Sequence, residues 1–179
     1  INGERNGKGK EYDYNGNLIF EGEYKNDKRW NGKGYDEMEN IIYELKNGNG
    51  KVKEYYEGKL IYEGEYLNGK RNGGGKEYDE NQLIFEGKYL NGKRNGNGKE
   101  YYSNGKLKFE GEYLNGERKG KGKEYYDDGE LKFEGQYLYF YRLRGRAYIQ
   151  GRLEYEGEYL FGNKYNGKGY NENGEIIYE

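Results

Sequence analysis

Leu90-Asn91-Gly92-Lys93-Arg94-Asn95-Gly96-Asn97-Gly98-Lys99-Glu100-Tyr101-Tyr102-Ser103-Asn104-Gly105-Lys106-Leu107, followed at once by Phe109-Glu110-Gly111-Glu112-Tyr113, decides the fold of this chain. The second segment or a close variant recurs along all 179 residues. Its first Glu falls at Glu21, Glu44, Glu63, Glu86, Glu110, Glu134, Glu156 and Glu179, at intervals of 23, 19, 23, 24, 24, 22 and 23. Repetition at such a period marks an array in which each unit covers its neighbour's apolar face. Eight units are visible.

Each unit reads as a β-hairpin. Asn-Gly and Asp-Gly favour two-residue type I′ turns, whose central residues both need positive φ. They occur at Asn15-Gly16, Asn104-Gly105, Asp128-Gly129 and Asn173-Gly174. No segment has helical periodicity, and a Gly every few residues would cost a helix about 1 kcal/mol each. Essentially no helix is expected. With Asn104-Gly105 as the turn, Tyr102 opposes Leu107, Glu100 opposes Phe109, Gly98 opposes Gly111 and Gly96 opposes Tyr113. These share one face by the period of two, and the other face pairs Lys99 with Glu110. The same register pairs Lys10 with Glu21 and Lys123 with Glu134. Gly9 and Gly22, Gly98 and Gly111, and Gly122 and Gly135 then face one another and leave a gap for rings of adjacent hairpins. Some units break the pattern: Leu45 replaces the anchor Gly, Val52 and Ala147 replace later positions, and register or curvature is expected to change there.

Composition alone points toward disorder. Leu, Ile, Val and Phe supply 29 of 179 residues, and charged residues make up 36%. Yet net charge is only −2, and 25 tyrosines provide burial that such a count leaves out. The chain has no His, Cys, Pro or Thr, and Ser103 is its one serine. Zinc and iron–sulfur sites, Cys–His pairs and Ser-His-Asp triads are therefore outside its inventory, and no metal or other cofactor is expected. Its carboxylates recur in every unit, whereas a catalytic site is a unique constellation in a pocket. Asp127-Asp128-Gly129 is explained as a turn and lacks the spaced ligands of a calcium loop. The chain is thus expected not to be an enzyme. No apolar run is long enough to span a bilayer as a helix, and the start at Ile1 without Met reads as a piece of a longer protein.

The run Tyr62-Glu63-Gly64-Glu65-Tyr66-Leu67-Asn68-Gly69-Lys70-Arg71-Asn72-Gly73-Gly74-Gly75 closely resembles the MORN (membrane occupation and recognition nexus) repeat, Tyr-x-Gly-x-aromatic-x-Asn-Gly-x-x-x-Gly-x-Gly. The resemblance implies an all-β fold: one array over residues 1–179, an elongated, twisted, single-layer antiparallel meander of about eight stacked hairpins. It also implies a scaffold, since such arrays occur in cytoskeletal and membrane-junction proteins and beside phosphatidylinositol phosphate kinase and SET domains. Neither of those domains is present here. The compartment expected is cytoplasmic, including its membrane periphery and cytoskeleton.

Two surfaces are candidates. Tyr24, Tyr66, Tyr89, Tyr113, Tyr137 and Tyr159, with Phe109 and Phe133, form either a partly exposed groove for a protein partner or self-association, or a core in which rings cover one another. Lys28, Arg29, Lys70, Arg71, Lys93, Arg94, Arg118 and Lys119 lie in equivalent loops and form either a basic edge for anionic lipid headgroups or a solvated rim. Arg142, Arg144 and Lys164 extend that row. Nucleic acid is disfavoured because the chain is slightly acidic overall. Glucan- or choline-binding hairpin arrays use paired Trp and Tyr platforms, and Trp30 is the only Trp. The expected function is a non-catalytic scaffold that binds proteins or itself through the aromatic groove, with a phospholipid-binding module as the alternative.

Overall fold

The computed structural model describes residues 3–179, which contain sixteen β-strands and no helix. The chain falls into two compact units, residues 1–93 and 94–179. The first holds β1 (Gly7–Tyr12), β2 (Leu18–Lys25), β3 (Lys28–Tyr35), β4 (Ile41–Leu45), β5 (Gly50–Tyr56), β6 (Lys59–Leu67), β7 (Lys70–Asp79) and β8 (Gln82–Leu90). The second holds β9 (Lys93–Tyr101, beginning one residue before the boundary), β10 (Leu107–Leu114), β11 (Glu117–Tyr125), β12 (Leu131–Leu138), β13 (Tyr141–Ile149), β14 (Arg152–Leu160), β15 (Asn163–Tyr170) and β16 (Ile176–Tyr178). Within each unit the strands run in chain order as an antiparallel hairpin meander, and the sheets do not close.

The register follows the repeat. Gly98 opposes Gly111, Glu100 opposes Phe109 and Gly96 opposes Tyr113, as the spacing predicts. On the opposite face Lys10 meets Glu21 at 3.2 Å and Lys123 meets Glu134 at 3.8 Å. One pairing differs: Leu107 opposes Tyr101 rather than Tyr102, across a β-bulge. The reason lies in the turn. Tyr102 N–H donates to the Lys106 carbonyl and Gly105 N–H to the Tyr102 carbonyl, and only Gly105 has positive φ. The Asn104 side chain caps the loop by accepting from Lys106 N–H at 2.9 Å. The turns at Asn15-Gly16, Asp128-Gly129 and Asn173-Gly174 likewise have positive φ at the Gly alone. Two consecutive left-handed residues, the mark of a type I′ turn, occur instead between repeats, at Asn68-Gly69 (φ 52° and 71°), Asn91-Gly92 and Asn115-Gly116.

The glycines line up across strands. In the second unit Gly98, Gly111, Gly122, Gly135, Gly145, Gly157 and Gly167 oppose one another in succession from β9 to β15. Glycine is required there by close approach. A Cβ on Gly122 would lie 2.6 Å from the Phe109 ring, and one on Gly111 would lie 2.7 Å from the same ring and from the Gly122 Cα. The ring that fills each gap belongs to the glycine's own strand or its direct neighbour, two residues before the anchor Gly.

The first unit interrupts this row. Gly9, Gly22 and Gly32 form one run, Gly64, Gly75 and Gly87 another, and Leu45 and Val52 stand between them. The four-stranded sheet β1–β4 ends there. β4 and β5 are joined by the short loop bridged from Lys46 to Asn49, and Leu45 and Val52 are buried with Phe20, Tyr24 and Tyr43. Two branched side chains need volume that two facing glycines do not, so the ladder parts and the space fills with apolar groups.

Candidate functional site

Six repeats place a Phe or Tyr and a second Tyr, four residues on, on the glycine-row face, and the second repeat has Asn47 at the later position. In the second unit these rings form a continuous zigzag from Tyr113 to Phe109, Tyr137, Phe133, Tyr159 and Tyr155. Their centroids are 5.1–5.8 Å apart and adjacent planes are nearly perpendicular. Edge-to-face contact sets each ring's positive rim against the next ring's negative face. The first unit repeats the motif in shorter runs, with Phe20 against Tyr24 and Tyr43, and Tyr62 and Phe85 both against Tyr89.

Arginines cover these rings. The guanidinium carbon of Arg118 lies 4.0 Å above the Phe109 ring, that of Arg71 4.1 Å above Tyr62, and that of Arg142 4.5 Å above Phe133. A carboxylate from the preceding hairpin holds each cation. Arg118 donates twice to Glu100, at 3.1 and 2.6 Å, and once to Glu124. The Tyr113 hydroxyl donates to the same Glu100 at 2.6 Å. Glu54 receives Arg71 and Tyr66 in the same way, Glu11 receives Arg29 and Tyr24, and Arg142 donates to Glu124. Burial alone would raise the pKa of Glu100, but the hydrogen bonds from Arg118 and Tyr113 outweigh it and hold the carboxyl below its ordinary value. Glu11 is lowered for the same reason. Burial together with the Glu11 carboxylate pushes the Tyr24 hydroxyl up to about 12.

This geometry places both candidate surfaces. Tyr24, Tyr89, Tyr113, Tyr137, Tyr159, Phe109 and Phe133 are buried and Tyr66 is half-buried, so the aromatic row is core and not an open, partly exposed groove. Neighbouring rings and the arginine–glutamate lid cover it. The Lys-Arg pairs divide because consecutive strand residues point to opposite faces. Arg29, Arg71 and Arg118 turn onto the rings, with side chains 25, 24 and 12% exposed, while Lys70, Lys93 and Lys119 remain exposed and Lys28 half-exposed. Arg94 occupies the corresponding position in β9. A single basic edge of eight cations therefore does not form, since the arginines are engaged internally. The lid carboxylates Glu11, Glu54, Glu100 and Glu124 escape sequence reading as lone acids. Their signal is spacing, each preceding its arginine by 17 or 18 residues.

What does face solvent is regular too. The residue before five of the tight inter-repeat turns is an exposed leucine, at Leu67 and Leu90 in the first unit and Leu114, Leu138 and Leu160 in the second, while Lys25 and Lys46 hold that position in the first two turns. The MORN repeat family matches residues 20–34, 62–83 and 109–130, and the MORN repeat variant matches 5–26 and 94–115. The matched segments coincide with the hairpins that carry the glycine row and its rings. The chain belongs to the MORN-repeat family. MORN repeats are associated with scaffolds that bind proteins or membrane lipids. Comparison with curated proteins finds no match. Among the described residues of this MORN array no helix is long and apolar enough to cross a membrane, and no group of three or more His, Cys, Asp or Glu is placed to hold a metal.

Proposed function

We propose that this chain is a non-catalytic scaffold that binds a protein partner, or further copies of itself, on the exposed strand face opposite its aromatic row. One observation carries the reading: a leucine recurs at the same exposed position in repeat after repeat, with Leu67, Leu90, Leu114, Leu138 and Leu160 each between 37 and 50% exposed. A lone exposed leucine has no meaning, but a register of them, two in the first unit and three in the second, makes a periodic apolar surface on each unit. Tyr24, Tyr66, Tyr89, Tyr113, Tyr137, Tyr159, Phe109 and Phe133 fill the other face of the strands and stiffen them. Changing all five leucines to Ser, with folding checked by circular dichroism, should abolish partner capture in crosslinking pull-downs and any self-association seen by light scattering. If the folded variant keeps every partner and its oligomeric state, the reading falls.

A phospholipid surface is favoured by a narrower observation, the exposure of Lys70, Lys93 and Lys119 at the turn exits. Each lysine near an anionic leaflet contributes about 1 kcal/mol. Co-sedimentation with phosphatidylserine vesicles at low salt tests it, and no pelleting removes it.

A further inference from the structure

The tight turns are tied together by an asparagine ladder. The backbone N–H of the first turn residue donates to the side-chain oxygen of an asparagine one repeat earlier: Asn26 to Asn6, Asn47 to Asn31, Asn68 to Asn49, Asn91 to Asn72 and Asn115 to Asn95, at 2.7–3.5 Å. In the next two repeats both halves of the ladder are replaced. The acceptor positions hold Lys119 and Leu143, and the turns read Tyr139-Phe140 and Phe161-Gly162. Tyr139, Phe140 and Phe161 have φ of 51°, 70° and 50°. Bulky side chains are genuine outliers in that left-handed region, where Asn and Gly sit without strain. Phe161 is 78% exposed, and Tyr139, Phe140 and Tyr141 are exposed too. Tyr141 and Phe161 meet edge to face at 6.5 Å. Asn-Gly makes the same turn in other repeats, so the fold does not need these rings. Strain kept at an exposed site is a sign of use.

In the same unit an open cleft of about 680 Å³ crosses β9 to β13, with Leu114, Leu138 and Leu143 as its apolar lining and Glu112, Lys119 and Gln136 among its polar groups. Five strands at about 4.8 Å span roughly 20 Å, the reach of about six extended residues. Glu112 is the one carboxylate in the lining and Lys119 the one cation, and the next stretch of chain is one-sided in charge. Residues 135–153 contain Arg142, Arg144, Arg146 and Arg152 and no Asp or Glu. Arg142 and Arg146 are neutralised by Glu124 and Glu156, but among the described residues Lys119 and Arg144 form no ion pair, Glu158 standing opposite Arg144 in the ladder without bridging to it. The corresponding stretch one repeat earlier, 111–129, carries Glu112, Glu117, Glu124, Asp127 and Asp128.

Resting on the scaffold reading, we propose that this face of the second unit binds an extended acidic segment of a protein partner. Its apolar side chains enter the leucine cleft, its carboxylates meet Lys119 and Arg144, and Tyr139, Phe140 and Phe161 form the rim. The unpaired cations and the reach of about six extended residues select this occupant.

The full chain, fluorescently labelled, is applied to an array of ten-residue peptides in which Glu or Asp alternates with Leu, Phe or Val, beside matched sets carrying Gln or Lys. Acidic peptides should be retained, with affinity falling as salt rises. K119E/R144E should weaken them about tenfold or more. Restoring the family turn chemistry with Tyr139→Asn, Phe140→Gly, Leu143→Asn and Phe161→Asn should raise or preserve the melting temperature while abolishing retention. The inference is overturned if acidic peptides bind no better than the Gln or Lys sets, or if the restored variant keeps their affinity. It is equally overturned if these substitutions abolish only self-association or phosphatidylserine-vesicle binding. None of them touches the five leucines. A chain that loses partners with the leucine variant but not with the restored one keeps the scaffold reading and loses this site.

Discussion

Gly122→Ala is the sharpest probe of how the array is held together. The glycine's φ lies outside the left-handed region, so the added methyl meets no backbone strain and its cost is purely steric. The new Cβ would lie 2.6 and 2.7 Å from two Phe109 ring carbons and 3.2 Å from the Glu110 carbonyl. The ring cannot withdraw, because Tyr113 and Tyr137 hold it edge-on at 5.8 and 5.1 Å and Arg118 caps its face. Overpacking a tight core costs about 1–3 kcal/mol, and an immobile ring places this case at the upper end. Gly74→Ala is the matched control. Its φ is also outside the left-handed region, and its Cβ would meet nothing closer than a Glu65 carboxylate oxygen at 4.0 Å. There the stiffened unfolded chain should give a gain of about 0.4–1 kcal/mol. The two variants should therefore differ by about 3–4 kcal/mol, or at least about 1 M in urea midpoint at a slope of about 1–3 kcal/mol/M. Adding Phe109→Leu to Gly122→Ala should cost less than it does in the wild type, with about 1 kcal/mol of favourable coupling. Equal midpoints for the two alanine variants, or a cycle without coupling, would refute a ring-filled glycine gap.

Arg118→Ala should destabilise by about 3–5 kcal/mol in denaturant melts, because it strands Glu100 beneath the surface, whereas Arg118→Met with Glu100→Gln should cost much less. Val52→Gly brings the third repeat closer to the common pattern, yet should cost about 2–4 kcal/mol in the same assay, since the side chain fills the space where the ladder parts. Urea midpoints against pH should fall at both ends. The lowered carboxyls of Glu11 and Glu100 stabilise the fold above their ordinary 4.5, and that contribution disappears as pH drops through their depressed values. Tyr24 and Tyr159, raised from 10 to about 12, contribute fully below pH 10 and lose that contribution as pH climbs through 12, in step with tyrosinate absorbance.

Much of this was legible in the letters. Spacing alone pairs Gly98 with Gly111 and Lys123 with Glu134, because a period of two fixes a face once one turn is placed. Turn type was not legible. Asn-Gly stands both at Asn104-Gly105 and at Asn115-Gly116, and only the side-chain cap beside Asn104 makes the first a wider loop with one left-handed residue. The adjacent cations of Lys70-Arg71 or Glu117-Arg118-Lys119 look alike in sequence, yet strand alternation sends arginine onto a ring and lysine to water. The lid was hidden because its members lie 17 or 18 residues apart, on strands whose adjacency is known only once the register is. The rings at Tyr139, Phe140 and Phe161 could have been found as departures from Asn-Gly, a signal visible only when the repeats are set side by side at the turns.

The unbroken line of facing glycines from Gly98 to Gly167 bears on how such a chain can be altered. Every interior ring there is wedged between two neighbours of its own kind, so a whole hairpin can be duplicated or excised and the seam will still fit. From Gly111 to Gly167 a single letter on the line has no such freedom, since the smallest added carbon strikes a ring or a backbone atom. Length is the adjustable quantity of this architecture and the glycine positions are its fixed gauge, so reach can be reset in steps of about two dozen residues.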